Sequence, residues 1–182
     1  MNTTDPRFPI GKFQFPTNMS PHDREHWIEV IASFPKRFEN SIAALTDEEC
    51  KTWEYRSGGW SIHQVVHHCS DSHMNGFIRF KLGLTEDVPT IKPYAEALWA
   101  EMPDVMNEPL TAAIKLLEII HRRWVILLKS MSEEDYKREL IHPEHQGSLQ
   151  LESYLSLYAW HCNHHFAHIE QAIALKNAFE AS

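Results

Sequence analysis

The stretch from Trp160 to His168 carries four histidines within eight residues, in a context that reads as one helix. At about 100° per residue, His161, His164, His165 and His168 share an arc of roughly 100° on that helix. A second cluster, His63, His67, His68 and His73, lies far upstream in another helical stretch. Two histidine-bearing faces on separate helices can together supply the three neutral imidazoles that a catalytic metal requires. The chain is therefore expected to bring these helices side by side, with the remainder building the frame.

That frame reads as all-α. The first 19 residues, with Pro6, Pro9 and Pro16, form an extended arm. Ser20-Pro21 is a helix start, with Ser as N-cap and Pro at the first position. Apolar residues at Trp27, Ile28, Val30, Ile31, Phe34 and Phe38 carry a first helix over about 21–45, which Pro35 is expected to bend or split. Thr46-Asp47-Glu48-Glu49 resembles a capping box opening a short turn. A second box, Ser61-Ile62-His63-Gln64, starts a helix reaching about Leu82, with Ile62, Val65, Val66, Cys69 and Phe80 as its buried stripe. His68 borders that stripe, with Gln64, Asp71, Ser72 and Asn75 around it.

From Thr85 to Glu108 the chain reads as an irregular connection with Pro89, Pro93 and Pro103, long enough to line or cover a site. Tyr94 and Trp99 are its candidate aromatic walls. Pro109 opens a third long helix with Leu110, Ile114, Leu117, Ile120, Trp124, Leu127 and Leu128 on its apolar side. Ser132-Glu133-Glu134-Asp135 is another capped turn, 138–149 a short irregular stretch holding His142, and Leu151 to about Lys176 the last helix. No strand run is strong enough to build a sheet. Four long helices with one long crossover in a single domain over 1–182 indicate a four-helix bundle.

Composition narrows the function. A net charge of -8 over 182 residues, without a basic block, disfavours nucleic acid, whose binding rests on phosphate neutralisation. No apolar run approaches the ~20 residues that span a bilayer. No signal peptide is apparent at Met1–Pro9, and three cysteines without a CxxC suit reduced thiols. Both point to the cytoplasm.

Among the histidines, His161 with His165 and His164 with His168 both stand at i, i+4, a spacing that brings two imidazoles to one ion. Geometry permits either pair. His161 follows Tyr158 and Trp160 and fits the more buried part of the helix, which favours the first pair. Position 162 is Cys, so the zinc-protease HExxH pattern and its general base are missing. Cys162 and Cys69 read as small buried side chains. Asp71, one turn from His68, is a candidate to orient an imidazole or a water, or else an exposed polar residue.

Several segments together resemble a known family. Gly58-Gly59-Trp60-Ser61-Ile62, Gln64-Val65-Val66-His67-His68, Asp71-Ser72-His73-Met74-Asn75, Pro93-Tyr94 with Trp99, Arg123-Trp124, His142-Pro143 and Tyr158-Ala159-Trp160-His161 with His164-His165 are similar to the DinB-like superfamily, in particular its YfiT branch. Phe8-Pro9-Ile10-Gly11 in the arm fits as well, so the resemblance spans about Phe8 to Leu175. It implies a four-helix bundle, dimeric, with one divalent ion per subunit, zinc or nickel, held by three histidines. On this sequence the ligands fall on His68, His161 and His165. Asn163 stands where the branch can carry another histidine. The resemblance implies a metal-dependent hydrolase acting on a small molecule. Related proteins instead transfer low-molecular-weight thiols such as bacillithiol, mycothiol or glutathione to electrophiles. A third reading is a bundle whose histidines merely hold an ion. Nothing in the residues names the general base or the role of His142.

Overall fold

Side chains that close the first turn set the helix starts. Ser20 with Asp23, Thr46 with Glu49, Ser61 with Gln64 and Ser132 with Asp135 each form a reciprocal capping box, satisfying amides that the helix itself leaves unpaired. The computed structural model describes residues 5–144 and 147–180, and of the arm expected over 1–19 the first four residues lie outside it. The elements run α1 (Pro21–Ile42), α2 (Asp47–Thr52), α3 (Ile62–Thr85), α4 (Glu96–Trp99), α5 (Pro103–Asn107), α6 (Leu110–Ser130), α7 (Glu133–Lys137), β1 (Glu139–Ile141), β2 (Ser148–Gln150) and α8 (Leu151–Glu180).

The four long helices α1, α3, α6 and α8 form the bundle. Helix α1 packs on α6 and α8, and α3 packs on the same two, so α1 stands diagonally opposite α3, and α6 opposite α8. The links α1-to-α3 and α6-to-α8 thus cross the bundle. The apolar stripes expected on α1, α3 and α6 face the interior, where Ile31, Phe34, Phe38, Val66, Cys69, Phe80, Leu117, Trp124 and Leu128 are fully enclosed.

Three expectations are corrected. Helix α1 runs unbroken through Pro35. Proline has no N–H to return to the carbonyl one turn earlier, which here is Ile31, and that oxygen instead accepts from His121 Nδ1 at 2.6 Å. The connection from Thr85 to Glu108 is not wholly irregular but folds into the short helices α4 and α5. It is pinned by buried Arg79, which donates to Tyr154 Oη and to the Lys92 carbonyl, each at 2.8 Å. The 138–149 stretch contains a two-stranded antiparallel ladder, Glu139 opposite Gln150. Three-residue strands give too short a period for a sequence pattern to register.

Helices α3, α6 and α8 pack against one another at Gly76. A Cβ there would lie 2.4 Å from Tyr158 Cζ and 2.7 Å from Trp124 Cη2, and both rings are buried. Gly76→Ala is expected to destabilise the protein by roughly 1–3 kcal/mol through overpacking, read as a lower urea midpoint. An unchanged midpoint would show that the rings can yield.

Candidate metal centre

Helix α3 contributes His68 and helix α8 contributes His161 and His165. One ring nitrogen from each lies within 4.8 Å of the others, and no fourth His, Cys, Asp or Glu joins this group among the described residues. His68 and His165 are buried, and the Trp60 ring packs on His68 at 4.7 Å between centroids. The Nε2 atoms of His68 and His161 are 3.3 Å apart. Two nitrogens bound to one tetrahedral zinc at about 2.0–2.1 Å stand about 3.3 Å apart, so this spacing fits a shared ion. An all-imidazole donor set also suits zinc or nickel better than calcium or magnesium.

The other histidines take different places. His63 Nε2 donates to the Val105 carbonyl at 2.7 Å, and His67 stacks near it at 4.6 Å, so both serve the α3–α5 contact. His164 stacks on Trp160 at 4.4 Å and His168 on Tyr55 at 3.9 Å. His164, His165 and His168 form a second group of the same tightness, yet His168 Nε2 is occupied by the Arg7 carbonyl (3.3 Å) and its Nδ1 by His165 Nδ1 (3.3 Å). His142 lies in the β1–β2 connection, its Nδ1 accepting from the Glu144 amide, outside both groups. Two histidines gain a role that spacing alone did not assign. His161 Nδ1 lies 2.9 Å from His73 Nε2, and His73 Nδ1 lies 2.6 Å from His121 Nε2. His121 sits in the apolar stripe of α6 between Leu117 and Trp124, and a histidine embedded there was the available signal.

Electrostatics favour neutral rings. Burial, helped by neighbouring imidazoles, pushes His68 down to about 3 and His164 to about 4. Burial also lowers His121 and His168 to about 4, against backbone carbonyls that pull them up. His73, His161 and His165 lie well below the ordinary histidine range for the same first reason. Cys50, Cys69 and Cys162 are all buried, and burial pushes each thiol up. Asp71 is raised to about 6 by burial and by Asp104. Its carboxylate has no hydrogen bond to an imidazole among the described residues, whereas His73 and His168 lie against the Nδ1 atoms of His161 and His165.

Beside the centre, Ser72 Oγ lies 3.5 Å from His161 Nε2. The 85–108 connection, expected to cross the bundle but joining the adjacent helices α3 and α6, adds a cleft of about 410 Å³ lined by Asn75, Lys92, Pro93, Tyr94, Ala95 and Trp99. Tyr94 and Trp99 stand 4.4 Å apart, and the Tyr94 hydroxyl is buried without a hydrogen-bond partner among the described residues.

The sequence model of the DinB superfamily matches residues 31–169. YfiT of Bacillus subtilis (strain 168), named a candidate metal-dependent hydrolase, is 39% identical over 171 residues, covering 94% of this chain and 96% of its own. A relative of the same description from Oceanobacillus iheyensis is 44% identical over 163 residues, 90% of this chain and 93% of its own. The solved structure of Bacillus subtilis YfiT, described as having an unusual four-helix bundle topology, superposes with a TM-score of 0.91 at 37% identity, over 96% of this chain and 99% of that one. The mycothiol-dependent maleylpyruvate isomerase shares the fold at a TM-score of 0.66 and 13% identity, over 84% of this chain and 63% of its own.

Histidines lowered by folding are neutral in the native state while the unfolded chain takes up protons from about pH 6.5. Their contribution is therefore intact above pH 6.5 and lost as pH falls toward 4. The metal-free protein is expected to lose urea stability steeply over that window. A flat profile between pH 6.5 and 4.5 would show the imidazoles to be accessible to protons in the folded state.

Proposed function

This chain belongs to the DinB superfamily, and from that premise we propose that it is a metal-dependent hydrolase with one divalent ion, zinc or nickel, per subunit. The residues that would hold the ion are His68, His161 and His165. The observation that carries the reading is their assembly from two helices into one group without a fourth side-chain ligand, because three protein ligands leave a position for water or substrate. When bound, such an ion supplies Lewis acidity and lowers the pKa of a coordinated water to about 7.

The chain's own residues do the rest. Three neutral imidazoles contribute lone pairs and no negative charge, so the centre stays electrophilic. The Trp60 ring covers His68 and limits water on that side. Ser72 Oγ stands beside His161, where it can accept or hand on a proton. The buried Tyr94 hydroxyl can donate to a substrate oxygen. Burial keeps it protonated by raising it above the usual tyrosine range. The cleft walls suit a small amide or ester. The same proposal takes the protein as a cytoplasmic homodimer, supported by the exposed Leu116, Ile119 and Ile126 of α6.

His68→Ala, His161→Ala and His165→Ala are each expected to abolish stoichiometric zinc or nickel in elemental analysis, while His164→Ala retains it. An empty His164→Ala with a full His165→Ala would reassign the pair. Turnover is then measured on activated esters and amides with and without bacillithiol, mycothiol or glutathione. Hydrolysis without thiol is the expected result. With every thiol of the chain buried, product that forms only when thiol is added would identify a thiol S-transferase.

Tyr94→Phe is expected to reduce kcat/KM by about tenfold or more, the loss of one hydrogen bond made in the transition state. Metal content and melting temperature should be unchanged. Unaltered turnover with a lowered melting temperature would assign Tyr94 to packing.

A further inference from the structure

A neutral imidazole has one N–H and one lone pair, so each hydrogen bond it makes determines the next. Beneath His161 this rule leaves a single assignment. The Ile31 carbonyl has no proton to give, so His121 Nδ1, at 2.6 Å, donates to it. His121 Nε2 then holds a lone pair, and His73 Nδ1, at 2.6 Å, donates to that. His73 Nε2 is left as an acceptor, so the proton in the 2.9 Å contact belongs to His161 Nδ1. The lone pair of His161 therefore lies on Nε2, the atom 3.3 Å from His68 Nε2. Phe34, Trp124 and Tyr158 surround the two inner rings, and among the described residues no carboxylate acts on either ring to stabilise an imidazolium.

A second chain has the same logic. The Arg7 carbonyl accepts from His168 Nε2, His168 Nδ1 accepts from His165 Nδ1, and His165 keeps its lone pair on Nε2. Each chain ends at a backbone carbonyl. A carbonyl accepts a hydrogen bond but does not pass on a proton, so these are fixed-direction supports and not proton wires.

We infer that His73 and His121 are positioning residues that lock His161 in the tautomer with its lone pair on Nε2, through the Ile31 carbonyl that Pro35 leaves free. His168 and the Arg7 carbonyl lock His165 in the same way. The inference rests on the proposed metal site for its purpose, although the tautomers exist without the ion. A histidine ligand held by its other ring nitrogen is oriented and made more basic, and loss of that partner weakens metal binding typically 10–100-fold.

Long-range ¹H–¹⁵N correlation spectra of the metal-free wild-type protein at pH 8 test the assignment directly. The expected pattern is a proton on Nδ1 of His121, His73, His161 and His165, and on Nε2 of His168. A proton on Nε2 of His161 overturns the inference. Zinc affinity is then measured by competition with a chromophoric chelator for His73→Phe and His121→Phe, with helical content checked by circular dichroism. A fall of about 10–100-fold in His73→Phe, and a smaller fall in His121→Phe, is expected. Folded variants that bind zinc like the wild type would overturn the inference even if the tautomers are as assigned. A wild-type protein that shows these tautomers but binds no zinc would remove the metal reading while leaving the locked chains in place.

Discussion

The hydrogen bond from His121 to the Ile31 carbonyl organises the interior of this bundle. A helical carbonyl is normally consumed by the amide four residues later, and at Ile31 that amide is missing because position 35 is proline. An interior proline costs a helix on the order of 3 kcal/mol, yet α1 continues through it. The oxygen this leaves free in the helix gives a fully buried histidine the one kind of partner that can only accept. Donation runs from His161 through His73 and His121 to that oxygen without a branch, connecting α8, α3, α6 and α1 in turn.

Packing supplies the other half of the arrangement. Gly76 lets Tyr158 and Trp124 press against α3, which holds α8 close enough for His161 to reach both His73 and His68. The Tyr158 hydroxyl donates to the Ser72 carbonyl at 3.1 Å, tying the same two helices one turn from the centre. Arg24 pairs with Glu133 and with Glu152 (2.9 Å) and fixes the distal end of α8 to α1 and α7. The buried chain of His161, His73 and His121 is therefore tolerable because each ring satisfies the next, and because the apolar faces around it fix the helices that carry them.

Much of this architecture is legible in the residues. The capping boxes at Ser20, Thr46, Ser61 and Ser132 and the apolar periodicity of α1, α3 and α6 mark the helices within a few residues. The i, i+4 spacing places His161 and His165 on one face. What the pattern does not carry is anything that depends on which helices become adjacent. His121 looks like an interruption in the stripe of α6 until α1 lies beside it, and Pro35 looks like a helix breaker until its missing amide is matched to a donor on another helix. Asp71 has the right spacing to His68, but helical spacing along α3 says nothing about the imidazoles arriving from α8. The Glu139–Gln150 ladder and the turns α4 and α5 are shorter than the periods by which strands and helices announce themselves.

The arm has a consequence for the order in which the protein is made. Arg7, whose carbonyl holds His168, is separated from it by 161 positions, and His161 and His165 both lie on α8, the last helix. On the ribosome Arg7 emerges well before His168, its partner on α8. The bundle's first three long helices can begin to associate earlier, but the three-histidine group cannot close before the chain has been made through His165. An ion held at this group could be captured only after that point, and chains cut short before His165 would lack part of the site.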